Sequence, residues 1–421
     1  MHAHAPVRWL TRTTPAPANG QEGRFDPAAF EPPLKTRLLI LQATPFCNID
    51  CDYCYLPDRD STARMGVATA RLAARRLRED GLLSESLTVV WHAGEPLAMP
   101  VAFYERAIDA IEAEIGAQCE VTHSMQTNAT LIDAAWCAFF KKHRIAVGIS
   151  VDGPRALHDR HRRTRAGKGT FERVLLGMAL LREHGVPFHA IAVVTDASFA
   201  EPDAFCAFFE EHGVTELGCN FDEVEGPHLV SSLVGRESAH ARFIERLLDR
   251  ALAGKPLRVR ELTTAFALIA EPLPRYRWRG YEWPANTQVL PFAIVSVAAN
   301  GDFGSFSPEL LGQPSDAYAD FVLGNVERES YLASTASPRF QRLWTDIARG
   351  VLACERGCSH FGFCGGGAQA NKFYETCDLA GTETLYCRTM VKRPFDAVLR
   401  RLEEGQAAVP PTEESPCPRP R

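Results

Sequence analysis

Six short apolar or alternating runs, RLLILQAT, LTVVWHA, VTHSMQT, IAVGISVD, FHAIAVVT and LGCNFDE, recur between residues 37 and 223 with helix-like segments between them. This rhythm limits the fold more than any other feature of the chain. The intervening segments VAFYERAIDAIEAEIG, LIDAAWCAFFKKH and FERVLLGMALLREHG carry apolar residues at helical spacing, with Thr170 the expected N-cap of the last. Strand and helix in alternation predict a parallel sheet with right-handed crossovers. The pattern alone leaves an open barrel and a doubly wound sheet as alternatives. At 421 residues the chain can bury one large α/β core and a smaller one.

Outside the rhythm the composition changes. Residues 1–34 are rich in proline, alanine and polar residues and read as a flexible N-terminal segment or an irregular strap; 403–421 read as a flexible tail. Residues 35–255 hold the βα units, 256–348 lose the rhythm and read as a bridging region, and 349–402 concentrate cysteine. No apolar run approaches the roughly 18 residues of a membrane span, and MHAHAPVRWLTRTTPAPANG lacks the apolar core of a secretory signal. The thirteen cysteines are therefore expected in a reducing cytoplasm, where clustered thiols favour metals over disulfides. A net charge of −6 argues against non-specific nucleic-acid binding, although HDRHRRTRAGKG is a local positive patch.

The run CNIDCDYC places Cys47, Cys51 and Cys54 just after the first expected strand, in a loop at its carboxyl end, where parallel α/β proteins build their sites. Three thiolates are one short of a closed four-ligand site. A cubane iron–sulfur cluster on three ligands leaves one iron open to a substrate, whereas structural zinc normally takes four ligands. Zinc with a remote histidine, or simply buried thiols, remain the alternatives from spacing alone. WHAGEPL, QTNA and SVDGP end the next three strands, so Ala93, Gly94, Glu95, Gln126, Asn128, Ser150 and Asp152 are all expected at the same end of the sheet.

The CxxxCxxC spacing followed by a tyrosine resembles the cluster motif of the radical S-adenosylmethionine superfamily, and the other segments fit it in order. The resemblance implies a partial (β/α)6 barrel and a 4Fe-4S cluster on Cys47, Cys51 and Cys54 that cleaves S-adenosylmethionine. It further implies a backbone carbonyl at Ala93–Gly94 and the Glu95 carboxylate meeting the methionine amine, with Ala93 standing where the family has a glycine. Tyr53, Gln126, Asn128, Ser150 and Asp152 become candidate cofactor contacts. Arg162 matches an arginine that pairs with the methionine carboxylate, a task suited to a planar cationic fork.

CERGCSHFGFC and TETLYC bring Cys354, Cys358, Cys364 and Cys387 into a second set, enough to close a site. A zinc knuckle is the alternative. The set resembles the SPASM auxiliary-cluster domain, whose full form holds two clusters. Here SVAANGDFGSFSPELLG has no cysteine and Ala368 stands where another often follows, so one auxiliary 4Fe-4S cluster is expected. His360 reads as a neighbour of the ligands, Cys377 as an alternative ligand to Cys387, and Cys417 has no assigned partner. Cys119, Cys137, Cys206 and Cys219 read as buried apolar residues.

CNIDCDYCYLPDR, VVWHAGEPL, FSPELLG, CGGGAQANKFYE and TETLYCRTM together are similar to cyclophane-forming peptide maturases of the GrrM/OscB type. That likeness implies a ribosomally made precursor peptide as partner, a reductant such as flavodoxin or ferredoxin, and a carbon–carbon bond between an aromatic ring and the β-carbon of a nearby residue. Asp222, Glu223 and Glu225, after the sixth strand, are candidate proton acceptors by position, the alternative being a solvated acidic loop. The N-terminal segment is too short for a separate peptide-binding domain, which leaves the barrel rim, the bridge or a sheet edge for docking. Sulfatase-type maturation, thioether formation, epimerisation and a zinc-stabilised binding protein are the competing readings.

Overall fold

The computed structural model describes residues 24–405. Its centre is one open sheet in which β1 (Leu38–Leu41), β2 (Ser86–Trp91), β3 (Glu120–Thr127), β4 (Ala146–Ser150), β5 (Phe188–Val194) and β6 (Glu216–Phe221) lie side by side in chain order, all parallel. These are the six runs read from sequence, in the partial-barrel arrangement expected. Period-two alternation explains why each sits as it does. On β2, Leu87, Val89 and Trp91 are buried, and Trp91 packs edge-on against Phe103 and Tyr104 of the helix α2 (Val101–Ile115). The opposite face is polar: Thr88 meets Thr122 at 3.2 Å, and Gln126 donates to Ser150 Oγ at 2.9 Å.

The helices follow the expected segments. Asp133 caps α3 (Ala134–Lys142) by accepting from the Trp136 N–H. Thr170 stands at the N-cap position of α5 (Phe171–Glu183), but its hydroxyl donates to the Arg162 carbonyl and faces His158. The free Phe171 N–H is taken instead by Asp159, 2.9 Å away. A competing buried acceptor outweighs the cap.

Residues 256–348 join the same sheet at both edges. β7 (Arg258–Val259) runs parallel beside β6 and leads into α8 (Arg260–Ala270), while β8 (Ile294–Val297) pairs in parallel with β1 and continues into antiparallel β9 (Asp302–Ser305) and β10 (Gly324–Asn325). Strands of two to four residues are too short to show a periodicity.

The expected flexible segment lies, for residues 1–23, outside the described residues, as does the expected tail for 406–421, which includes Cys417. Residues 24–34, by contrast, are packed. Phe30–Glu31 pairs antiparallel with Arg277–Trp278, and Phe25 and Phe30 enter a cluster of rings with Trp278, Trp283 and Trp344. Two buried phenylalanines, each contributing about 2–3 kcal/mol, hold the strap in place despite its proline-rich composition.

The cysteine-rich region is helical: α9 (Pro338–Gly357), capped by Ser337, then α10 (Phe361–Cys364), α11 (Gln369–Thr376), and a π-helical turn over Cys387–Lys392 that runs into α12 (Arg393–Glu403). α12 returns to the barrel, where Arg401 pairs with Glu245 and Asp249 of α7 (Glu237–Leu252). No helix among the described residues is long and apolar enough to cross a membrane.

Candidate active site

The loop carrying Cys47, Cys51 and Cys54 leaves the carboxyl end of β1 and is fixed by its backbone. Ile49–Cys51 forms a short antiparallel ladder with Arg162–Thr164, placing Cys51 opposite Arg162. The basic patch seen in sequence serves this loop through Arg165, which donates to the Cys47 carbonyl at 2.8 Å, while Arg59, from the loop's own continuation, donates to that of Cys51 at 2.9 Å. Cys51 is buried; Cys47 and Cys54 are half-buried. Burial pushes the Cys47 thiol up to about 11, with Glu95 adding to it, and the Cys51 thiol up to about 12 against the pull of Arg162. The thiols also raise one another, so they lie together. Cys47 and Cys51 are thus desolvated thiols on the same loop as Cys54, a sulfur set whose chemistry suits a metal centre.

The segment after β2 presses directly on this loop. A Cβ at Gly94 would fall 2.4 Å from the Thr44 carbonyl oxygen and 2.6 Å from that of Phe46, and the Glu95 N–H donates to Phe46 O at 2.8 Å. Only glycine fits. Ala93 is buried and adopts φ 70°, a left-handed conformation that glycine takes more readily. Glu95 is 1% exposed. Its Oε1 accepts from Thr127 Oγ1 and the Leu97 N–H, and its Oε2 from the Asn128 N–H, which leaves one lone pair of Oε2 free. Burial pushes this carboxyl up to about 7. Asn128 itself reaches Asn48 Oδ1 at 2.8 Å and Cys47 Sγ at 3.8 Å.

Half-buried Tyr53 joins the buried Asp152 and Arg162 in one group. The Tyr53 hydroxyl donates to Asp152 Oδ2 at 2.5 Å, and Arg162 grips both carboxylate oxygens at 3.0 Å through Nε and Nη2. Burial opposes ionisation of Asp152, yet the Arg162 charge and these hydrogen bonds hold it below its usual range. Arg162 is thus engaged on one edge of its fork by the protein's own carboxylate, with Nη1 left over. Gln126 and Ser150, bonded to each other, lie farther along the polar face.

Cys354 ends a turn of α9, Cys358 caps that helix, Cys364 closes α10 and Cys387 opens the π-helical turn. The Sγ atoms of Cys354 and Cys387 both approach the Thr382 carbonyl, at 3.6 and 3.8 Å, and the Gly367 N–H donates to Cys364 Sγ at 3.1 Å. Burial pushes Cys364 up to about 12, followed by the effects of Cys387 and Cys354. His360, bonded to Cys358 and to Asp396, lowers the Cys358 thiol. Cys377 is exposed at the left-handed C-cap of α11. Cys119, Cys137, Cys206 and Cys219 are buried in the core. Among the described residues no three His, Cys, Asp or Glu side chains are drawn together for a single metal ion. The two cysteine sets are nonetheless gathered groups, and their sulfur-only composition suits iron–sulfur ligation.

Of the three acids after β6, Asp222 holds a loop. It pairs with His228 at 2.9 Å and accepts from the Ser232 N–H at 2.6 Å; these contacts keep it ionised although burial opposes this. Glu223 and Glu225 point the other way chemically. They hydrogen-bond to each other, Asn371 of α11 donates to Glu223 Oε2 at 2.5 Å, and Glu309 lies near both. Burial pushes Glu223 and Glu309 up to about 7 and Glu225 well above the carboxylate range. All three are half-buried. Gly226 packs against the Tyr55 carbonyl, one residue after Cys54, and Asn371 of α11 binds Glu223, so this segment reaches from the first cysteine loop to α11.

Sequence reading missed several of these neighbours. Glu309 sits in the FSPELLG segment, where the missing cysteines drew the eye; the Tyr374 hydroxyl donates to its backbone carbonyl at 3.1 Å. His92, from WHAGEPL, meets the Tyr55 hydroxyl at 3.3 Å and is held neutral by burial, down to about 4. Asn371 and Lys372 had no motif signal beyond the run that contains them.

Comparison with known proteins agrees with this geometry. The profile of the Radical SAM superfamily matches residues 41–209, which hold the first cysteine set and the strands around it. An uncharacterised protein of Synechocystis sp. (strain PCC 6803) is 37% identical over 88% of this chain and 93% of its own length. A serine-type anaerobic sulfatase-maturating enzyme of Bacteroides thetaiotaomicron is 30% identical over 51% of this chain, and the match spans about half of that enzyme, 54%. Among solved structures, anSMEcpe with bound AdoMet and Cp18Cys peptide superposes with a TM-score of 0.70 at 20% identity, covering 88% of this chain and 99% of that one. Streptococcus suis SuiB bound to precursor peptide SuiA gives 0.58 at 16% identity, covering 84% and 76%. At such identities the solved structures establish the fold. The cysteine loop on β1, the glycine-glutamate turn pressed against it and the matched profile together make this chain an enzyme of the radical SAM superfamily.

Proposed function

We propose that the enzyme modifies a ribosomally made precursor peptide, joining an aromatic ring to the β-carbon of a nearby residue in a cyclophane crosslink. The observation that carries this reading is the raised, hydrogen-bonded pair Glu223–Glu225, half-buried on a segment that packs on Tyr55 beside the first cysteine loop and is bound by Asn371 of α11 next to the second set. Such a bond removes two hydrogens from the peptide: one leaves as an atom, the other as a proton and an electron. When bound, S-adenosylmethionine and a 4Fe-4S cluster on the first set would supply the 5′-deoxyadenosyl radical, and a second cluster on Cys354, Cys358, Cys364 and Cys387 would take the last electron.

The chain's own residues do the rest. Glu95 offers its free lone pair, and the unused edge of Arg162 its N–H groups, to the amine and carboxylate of the methionine moiety. Tyr53 and Asp152 keep Arg162 in register, and Gln126, Asn128 and Ser150 line the way to the nucleoside. Glu223, with a pKa near neutrality, accepts the ring proton and shares it with Glu225. A flavodoxin or ferredoxin would be the reductant.

Sulfatase-type maturation is the second reading, favoured by the identity to the serine-type maturating enzyme. Anaerobic reconstitution should yield about eight irons per chain and reductive cleavage of S-adenosylmethionine; stoichiometric zinc without cleavage would refute the radical site assignment. Small open reading frames beside the gene, coexpressed with the enzyme, should then yield a peptide lighter by two hydrogens that no longer fragments between the joined residues. A modified peptide that fragments normally at every bond would favour the sulfatase-type reading.

A further inference from the structure

Lys372 is the only buried lysine among the described residues, at 0% exposure. It lies on α11, one position after the Asn371 that binds Glu223. Its Nζ is 3.8 Å from Cys354 Sγ, and a Cβ at Gly350 of α9 would lie 2.9 Å from the same nitrogen. Its Cε runs past Gly367, whose Cβ position is 3.6 Å from Cε and 3.8 Å from Cys387 Sγ. Two glycines therefore leave room for an ammonium beside the second cysteine set. Among the described residues it has no carboxylate partner. A buried ammonium without a counter-charge is strongly unfavourable, and the sulfurs of Cys354 and Cys387 are the neighbours that can supply one.

The first cysteine set has different surroundings. Each arginine at its loop is already paired with a carboxylate, Arg162 with Asp152, Arg59 with Asp50 and Arg165 with Asp60, and Glu95 adds a further carboxylate on the Cys47 side. The cations beside one set are thus neutralised, whereas the other set has an unpaired one.

We propose that Lys372 sets the reduction potential of an iron–sulfur centre on Cys354, Cys358, Cys364 and Cys387, holding it high enough to take up an electron from the substrate radical. This rests on reading those cysteines as cluster ligands. Four thiolates leave a cubane centre negatively charged, and reduction adds one more negative charge. A desolvated ammonium about 4 Å from a ligating sulfur stabilises the reduced form more than the oxidised one. The step is one electron taken up by the centre from a carbon-centred radical, with no bond made or broken at the cluster. Lys372 is a positioning residue here: it touches the ligand, not the substrate.

The test uses the full chain with Cys47, Cys51 and Cys54 all changed to alanine, so that iron retained after anaerobic reconstitution belongs to the second set. This parent should hold about four irons per chain; a parent without iron would overturn the cluster reading itself, separately from the role of Lys372. Redox titration followed by electron paramagnetic resonance then compares Lys372→Met and Lys372→Arg. The Met variant is expected to lose at least tenfold in its reduced-to-oxidised ratio at fixed ambient potential, a shift of about 59 mV to more negative potential for a one-electron couple. The Arg variant should stay near the parent. Iron-replete Met protein with an unchanged midpoint overturns the proposal, as does an Arg variant shifted as far as Met. If the Met protein fails to hold iron, Lys372→Gln, which keeps a donor to sulfur without the charge, is read in its place by the same criterion.

Discussion

Asn371 Nδ2 donates to Glu223 Oε2 at 2.5 Å across 148 positions of sequence, tying the C-terminal cysteine region to the carboxyl end of β6. Lys372, the next residue on the same short helix, reaches Cys354 Sγ, so α11 touches both the Glu223–Glu225 pair and the second cysteine set. Proton and electron would thus leave the substrate toward the same part of the protein.

Glu223→Gln and Glu225→Gln should separate cofactor cleavage from product formation. Removing a general base typically lowers a rate by about 10²–10⁴-fold. Peptide product should fall in that range, whereas 5′-deoxyadenosine release, read by chromatography, should persist. A base works when deprotonated, and Glu223 is pushed up to about 7. Product formation in the wild type should therefore be low below pH 6 and rise through pH 7 to a plateau.

Positions 93 and 94 should respond in opposite directions. Ala93 occupies φ 70°, so Ala93→Gly relieves left-handed strain of about 1 kcal/mol, partly offset by the greater freedom of glycine in the unfolded chain. A gain of about 0.5 kcal/mol in chemical denaturation is expected. Gly94→Ala places a methyl 2.4 Å from Thr44 O and should displace the cysteine loop, lowering iron content by about half while the second set keeps its share.

Asp152→Asn leaves the Arg162 guanidinium buried against a neutral partner. Breaking a buried pair in this way costs about 3–5 kcal/mol, measurable by urea denaturation. Replacing both residues with apolar ones should recover part of that loss, because no charge is then left unpaired. Since Asp152 is held below its usual range when folded, its contribution is present above about pH 4 and fades as pH falls through the depressed value.

Cys377 and Cys387 offer a direct contrast. Cys377→Ser alters an exposed helix cap and should leave iron content and visible absorbance unchanged. Cys387→Ala removes a buried thiol whose Sγ shares the Thr382 carbonyl with Cys354, and should remove about four irons per chain.

The N-terminal strap is testable by stability alone. Phe25→Ala empties a site among Phe30, Phe340 and Trp344 and should cost about 3–5 kcal/mol, lowering Tm in calorimetry.

By itself the sequence determined the six central strands and three of the helices between them, because period-two and helical spacing are local properties of consecutive residues. The same locality made Cys47, Cys51 and Cys54 legible as one set and placed Glu95, Ser150 and Asp152 at strand ends. Only the tertiary structure decided how side chains on different strands pair. Arg162 grips Asp152, Glu95 joins the ends of β2 and β3, and Asp222 holds its loop while Glu223 is bound by Asn371 of α11. It also decided that Phe25 and Phe30 anchor a proline-rich strap and that short strands beyond residue 256 extend both sheet edges. These outcomes depend on burial and on charges brought together across hundreds of residues. No local pattern records that Glu309 comes to lie beside Glu223, or that Lys372 is buried against a cysteine sulfur.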